Sequence, residues 1–312
     1  MTNGVKEEKA NFVSGEKVRS DLILLLAAAI WGFAFVAQRV GMDHVGPFTF
    51  SAVRFSLGSL VLLPFLFFRR HLVYNRLNPS KNERKKIIRL QVLLGFLVFA
   101  GVSFQQYGLV YTTAGNAGFI TGLYVVFVPA VGLFFRQKNH FTIWIGVVLA
   151  ILGLYFLSVK ENFAVNLGDY LVFICAWFWT FHVLAVGYVA PKTDPIRTAL
   201  IQFSICSLLS WIVAIGFEKI SLQPILDAIW PILYGGVMSV GIGYTLQVFA
   251  QQKAHPAYAS IILSLESVFA ILGGWLVLGE AVTGKILLGC GLMLTGMIVA
   301  QTRGSTIESM FE

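Results

Sequence analysis

The chain has 312 residues, of which 57% are hydrophobic and only 12% charged, with a formal net charge of +8. A soluble domain carries about 25% charged residues, so this chain cannot coat a water-facing surface; a soluble enzyme, a disordered chain and a nucleic-acid module with a basic face are all excluded. Cys175, Cys206 and Cys290 each stand alone in an apolar run, which fits small buried thiols rather than a disulfide framework or a metal-ligand set.

A helix crossing the roughly 30 Å hydrocarbon core needs about 20 mostly apolar residues. In chain order the runs that qualify are 22–38, 48–68, 90–110, 115–135, 142–159, 169–189, 198–217, 230–250, 257–278 and 284–301. They are apolar on every side, as in Leu22–Ile30, whereas lipid-facing strands would alternate in polarity. The prediction is an all-α integral membrane protein with ten transmembrane helices. Residues 1–20 are polar and mixed in charge, unlike the short basic start of a signal peptide. The first run continues to Gln38 with no small-residue cleavage site, so it reads as a retained helix.

Lys and Arg fix the expected direction. With the N-terminus inside, Lys6, Lys9, Lys17, Arg19, Arg69, Arg70, Arg76, Lys81, Arg84, Lys85, Lys86, Arg89, Arg136, Lys138, Lys192, Arg197, Lys253 and Arg303 all fall on the inner side. Only Arg39, Lys160, Lys219 and Lys285 fall outside. A multi-pass protein of the cell (inner or plasma) membrane with both termini cytoplasmic follows. The basic loop 69–89 reads as a topology anchor against anionic headgroups, not as a nucleic-acid site.

The ten runs divide into two echoing sets of five. Asp21, Trp31, Arg54 and Phe55 recur 148 positions later as Asp169, Trp179, Gln202 and Phe203. Gln105, Leu123, Val126 and Phe127 recur 142 positions later as Gln247, Leu265, Val268 and Phe269, and Gly146 and Gly153 match Gly289 and Gly296 at a spacing of 143. The offset falls because the connector between the second and third runs is longer in the first set. Five is odd, so the second set enters the membrane from the opposite side. The expected organisation is a cytoplasmic segment 1–20, two inverted five-helix repeats at 21–160 and 161–302, and a cytoplasmic tail 303–312. Inverted repeats of this kind open a midplane site alternately to each side in many transporters.

The sequence resembles the ten-helix EamA-type exporters of the drug/metabolite transporter superfamily, over about residues 20–302. The echoes are Ala28-Ala29-Ile30-Trp31-Gly32 in the first run, Arg54-Phe55 in the second and Gly168-Asp169 opening the sixth. The most specific is Ser264-Leu265-Glu266-Ser267-Val268-Phe269-Ala270 running into Gly279-Glu280. Two positions depart from the family pattern. Ser267 stands where a proline is usual, and Gln137-Lys138 replaces the Gly-Glu pair in the first half. The resemblance implies export of a small metabolite, and it makes Glu266 a common family feature.

Ionisable groups in hydrocarbon are costly unless paired or wet, so each marks a candidate site. Glu266, near the midplane, reads as a proton carrier or a contact for a cationic substrate group, or as a structural or gating carboxyl. His182 and Arg54 carry the same choice between coupling or gating and an interhelical bond, and the planar fork of Arg54 suits a carboxylate. The uncharged candidates for substrate binding are Trp31, Gln105, Asn116, Tyr124, Trp179, Tyr244, Gln247 and Tyr258, whose amides and rings suit an amphipathic organic, amino acid-like solute. No phosphate-cradling G-x-x-x-x-G-K-[ST], H-E-x-x-H or G-x-S-x-G occurs. The expectation is therefore a secondary transporter, not an enzyme, with no cofactor or metal. Its partners would be a small-molecule substrate, membrane lipid and the proton as candidate coupling ion. The rivals are an intramembrane enzyme acting on a lipid or isoprenoid, and a non-transporting membrane partner or sensor.

Overall fold

The computed structural model describes residues 2–73, 80–158, 166–279 and 281–301. Among them every regular element is helical. Arg76, Lys160, Glu280, Arg303, the repeat boundary at 160/161 and the tail 303–312 lie outside the described residues, as do the side chains of Lys6, Lys9, Arg69 and Arg70.

The helices are α1 (Thr2–Gly41), α2 (Pro47–Val73), α3 (Lys81–Gly108), α4 (Ala114–Gly122), α5 (Tyr124–Phe134), α6 (Phe141–Ser158) and α7 (Leu167–Val189) in the first part of the chain. There follow α8 (Pro195–Phe217), α9 (Leu222–Asp227), α10 (Ile229–Leu233), α11 (Thr245–Ala250), α12 (Pro256–Leu263), α13 (Glu266–Leu278) and α14 (Gly284–Gln301). Eight stretches are long and apolar enough to cross a membrane, and two shorter apolar helices, Phe141–Phe156 and Gly284–Ala300, complete the set. Each predicted run falls on a helix. The largest difference is at the start, where α1 begins at Thr2 rather than 22, because residues 2–21 contain no proline and several good helix formers.

Helix ends are set by local chemistry. Asn166 and Asp169 cap α7 reciprocally, at 2.9 and 3.1 Å, and Ser80 with Glu83 does the same for α3. Asp194 precedes Pro195 and accepts from the Arg197 amide at 2.8 Å to start α8. Gly279, at φ +68°, closes α13 in the left-handed region that favours glycine.

The bundle has two ends. At the Arg39 end, Thr112 donates to Asp169 at 2.6 Å. There Glu218, just past α8, accepts from the amides of Phe48 and Thr49 and from the Thr49 hydroxyl at 2.9, 2.7 and 2.6 Å. At the Lys253 end, Gln251 donates to the Val183 carbonyl at 3.0 Å, Gln252 donates to the carbonyls of Ala190 and Thr193, and Lys253 pairs with Glu16. Polarity is inside out. Phe134 (88% exposed), Ile215 (71%) and Leu287 (64%) face outward, while Arg54 (2%), Gln105 (6%) and Glu266 (5%) are buried.

Lipid supplies no hydrophobic force between helices, so close backbone approach must hold them. α6 and α14 meet through glycines: a Cβ on Gly146 would stand 2.8 Å from the Gly296 carbonyl oxygen, and one on Gly153 2.7 Å from that of Gly289. These four are the glycines matched at the 143 spacing, and the contact of Gly146 with Gly296 becomes that of Gly289 with Gly153 when the halves are exchanged. Such reciprocity is what a two-fold relation between the halves produces. The fourth run of each half also tightens at the same place. Leu123 separates α4 from α5 and Leu265 separates α12 from α13, with the Leu123 amide donating to the Ile120 carbonyl at 3.2 Å and the Leu265 amide to that of Ile262 at 3.1 Å.

Candidate functional site: a central cavity shared by the two halves

Midway between the ends lies a cavity with about 490 Å³ of unfilled space, part of it open to solvent. Its walls are Trp31, Ala34, Phe35 and Gln38 of α1, Arg54 of α2, Gln105 of α3, Thr121 of α4 and Tyr124 of α5. Trp179 and Val183 of α7, Ser239, Tyr244, Gln247, Leu263 and Glu266 close it. The sequence offsets recur in this lining. Trp31 faces Trp179 and Phe35 matches Val183 at 148, while Gln105 matches Gln247, Thr121 matches Leu263 and Tyr124 matches Glu266 at 142.

The two tightened turns lie at this depth. Tyr124 and Glu266 are the first residues after them, each midway along its crossing. The backbone at both turns stays in the right-handed helical region (Leu123 φ −59°, ψ −16°; Leu265 φ −63°, ψ −10°), so each turn tightens its crossing rather than interrupting it. Tyr124 and Glu266 lie close enough to interact, one from each half.

Aromatic rings line one flank. The Trp31 and Tyr244 centroids are 4.6 Å apart, and Tyr244 also meets Trp179 at 5.8 Å, Phe203 at 5.8 Å and Phe55 at 6.1 Å. Trp31 can lie there because its neighbour across the packing is Gly243, where a Cβ would sit 2.7 Å from Trp31 Nε1. That nitrogen instead donates to the Ser239 carbonyl at 3.3 Å. Ser239 belongs to Tyr234–Tyr244, which joins α10 to α11 as a π-helix, a winding often found at functional sites. Gln105 donates to the Thr121 hydroxyl at 3.2 Å.

Eight of the sequence-predicted residues thus come together: Trp31, Arg54, Gln105, Tyr124, Trp179, Tyr244, Gln247 and Glu266. Three stand elsewhere. His182 is fully buried behind the aromatic flank, its Nε2 3.0 Å from Gln202 Oε1 and its ring edge-on to Trp179 and Tyr244. Asn116 and Tyr258 each precede the cavity residue of their crossing by eight positions, about 12 Å of helix rise, and so fall toward opposite ends of the bundle. Asn116 lines a separate surface depression at the Arg39 end, with Arg39, Asp43 and Thr112, while the Tyr258 ring lies under Lys17 Nζ at the Lys253 end. Sequence reading missed Phe35, Gln38, Thr121, Val183 and Leu263. All lie three, four or seven residues from a predicted residue, so helical periodicity from Trp31, Trp179, Tyr124 and Glu266 points to them. Among the described residues no group of three His, Cys, Asp or Glu side chains could hold a metal ion.

The EamA-like transporter family matches residues 18–159 and 166–302, one stretch for each half. A transporter of Archaeoglobus fulgidus, described as uncharacterized, is 31% identical over 311 residues, covering 97% of this chain and 94% of its own length. YoaV of Bacillus subtilis, another uncharacterized transporter, is 25% identical over 90% of this chain and 96% of its own. YedA of Escherichia coli K12, described as an inner membrane transporter, is 25% identical over 85% of this chain and 89% of its own. A solved crystal structure with 18% identity superposes with a TM-score of 0.75, covering 93% of this chain and 99% of that one, and shares the fold. With its apolar helices, the chain is a multi-pass membrane protein.

Proposed function

From the premise that this chain belongs to the EamA-like transporter family, we propose that it is a secondary transporter moving a small amphipathic organic solute outward by alternating access to the central cavity. In this reading the eight long helical stretches and the two short apolar helices form ten crossings, arranged as two inverted five-helix repeats. Both termini face the cytoplasm of a cell whose inner or plasma membrane holds the protein. The reciprocal glycine contacts of α6 and α14 and the paired tightened turns at Leu123 and Leu265 support that arrangement.

The observation that carries the function is the lining. A cavity built from matched residues of both halves, midway along the crossings, is accessible to whichever side the halves tilt toward. A surface depression lies at the Arg39 end, and the Lys253 end is tied by Gln251, Gln252 and Lys253. Amides and hydroxyls would orient the polar end of the solute, and Trp31, Trp179 and Tyr244 would hold its apolar body. With no nucleotide motif in the chain, the driving force is the solute gradient, exchange or a proton, with Glu266 and His182 as candidate carriers.

Proteoliposomes holding the purified full chain test the reading. Labelled amphipathic solutes, amino acids among them, should exchange across the membrane faster than in empty vesicles. Absence of exchange across a broad metabolite panel would favour the rival intramembrane enzyme.

A further inference from the structure

The repeat supplies an internal control for each cavity residue, and it singles out Arg54. Its counterpart 148 positions on is Gln202, whose Oε1 is engaged by His182 at 3.0 Å. The counterpart of His182 is Ala34. Where the second half pairs an imidazole with its amide, the first half carries a methyl and a guanidinium at the matching positions, and both Ala34 and Arg54 line the cavity.

Arg54 is left without a partner of its own. No hydrogen bond or ion pair reaches its guanidinium among the described residues, and its buried Nε is unpaired. The ion pairs among them are Arg39–Asp43 and Lys253–Glu16, so Glu266 shares the cavity without contacting Arg54. A guanidinium stays charged at physiological pH, and burying it unpaired is costly. Phe50 and Phe55 each present a ring face 5.3 Å from the guanidinium carbon, which offsets part of that cost. Rings do not replace the strong acceptors that a fork of N–H donors takes, and a planar carboxylate matches that fork with two parallel bonds.

We infer that the space beside Ala34 and Arg54 is an anion subsite, which takes the carboxylate of an amphipathic organic solute while its apolar body lies against Trp31, Trp179 and Tyr244. The inference rests on the transport reading above and names the chemical class that the cavity selects.

The test uses the purified full chain, with ligand binding followed by the shift in thermal unfolding. The probes are 3-phenylpropionate, its neutral amide, and inorganic phosphate. Wild type should bind the acid at least tenfold more tightly than the amide. Arg54→Gln, which copies the second half, should erase that preference so that acid and amide bind alike, and Arg54→Lys should keep part of it. Equal binding of acid and amide by wild type would overturn the inference, and so would a preference that survives Arg54→Gln. Phosphate competing as well as the acid would also overturn it, by assigning the site to a free inorganic anion. Equal binding with solute exchange intact in proteoliposomes leaves the transport reading standing while the anion subsite falls. If wild type binds neither acid nor amide, the subsite falls too, and loss of exchange as well would remove the transport reading with it.

Discussion

The two halves of the molecule share a frame and differ in what they hang on it. Trp31 packs on Gly243 and Trp179 on Gly101, a reciprocal pair of contacts at the repeat offsets. The first is tighter, with a Cβ at Gly243 falling 2.7 Å from Trp31 Nε1 and one at Gly101 falling 3.1 Å from the Trp179 ring. The third crossing of the first half is an unbroken α-helix, α3, while its counterpart contains the π-helical stretch Tyr234–Tyr244. The helix starts differ in the same sense. Asp194 caps α8 from its own chain position, whereas its counterpart is Gly46, and the start of α2 takes the Glu218 carboxylate from the far end of α8 instead. The halves agree in the glycine contacts and in much of the cavity lining, and they differ at Arg54 and Gln202, of which only Arg54 lines the cavity.

The capping difference predicts the largest effect. Glu218→Ala leaves two amides and a hydroxyl at the start of α2 without their acceptor, and should lower stability by about 2 kcal/mol, read from unfolding in detergent. The nearest atoms a Cβ at Gly46 would meet belong to the Glu218 carboxylate, so adding Gly46→Asp to Glu218→Ala should restore about 1 kcal/mol by giving α2 the cap that α8 already has. No recovery would break the equivalence of the two helix starts.

The glycine contacts come next. Gly243→Ala should cost about 1.5 kcal/mol through overpacking on Trp31. Gly101→Ala should cost less than half of that, since its looser contact is offset by the better helix propensity of alanine. Equal losses would mean that the tighter contact of Trp31 with Gly243 has no energetic weight.

The smallest effect concerns His255, in the turn before α12. Its Nδ1 accepts from the Ala257 amide at 3.3 Å, and burial, with the nearby His140 charge second, holds its pKa below the usual histidine value. The neutral form is therefore favoured in the fold. The stability it contributes is present above the unfolded-state pKa of about 6.5 and is lost as pH falls through and below that value. The melting temperature should drop modestly from pH 7.5 to 5.5, and His255→Asn, which still caps but does not titrate, should flatten that slope. A slope unchanged in the variant would assign the pH dependence elsewhere.

Much of this was legible in the sequence, because hydrocarbon thickness forces long apolar runs and makes each polar residue inside them conspicuous. Gln105, Gln247 and Glu266 stood out for that reason, and the repeat placed their counterparts. Phe35, Val183 and Leu263 did not, since an apolar residue in an apolar span has no contrast with its neighbours. The tightened turns at Leu123 and Leu265 carry no proline, and the π-helical stretch reads as an ordinary glycine-rich crossing. Asn116 and Tyr258 share a repeat position but not the depth of the cavity, which needs three-dimensional spacing to see.

The account is tested most directly by sided thiol labelling of the repeat pair Gln105→Cys and Gln247→Cys, in a chain whose Cys175, Cys206 and Cys290 are replaced by serine. Reconstituted with known orientation, both positions should react with a membrane-impermeant reagent added from either side, and a transported solute should slow both reactions. Labelling of either position from one side only, under every condition, would contradict a cavity that the two halves open in turn.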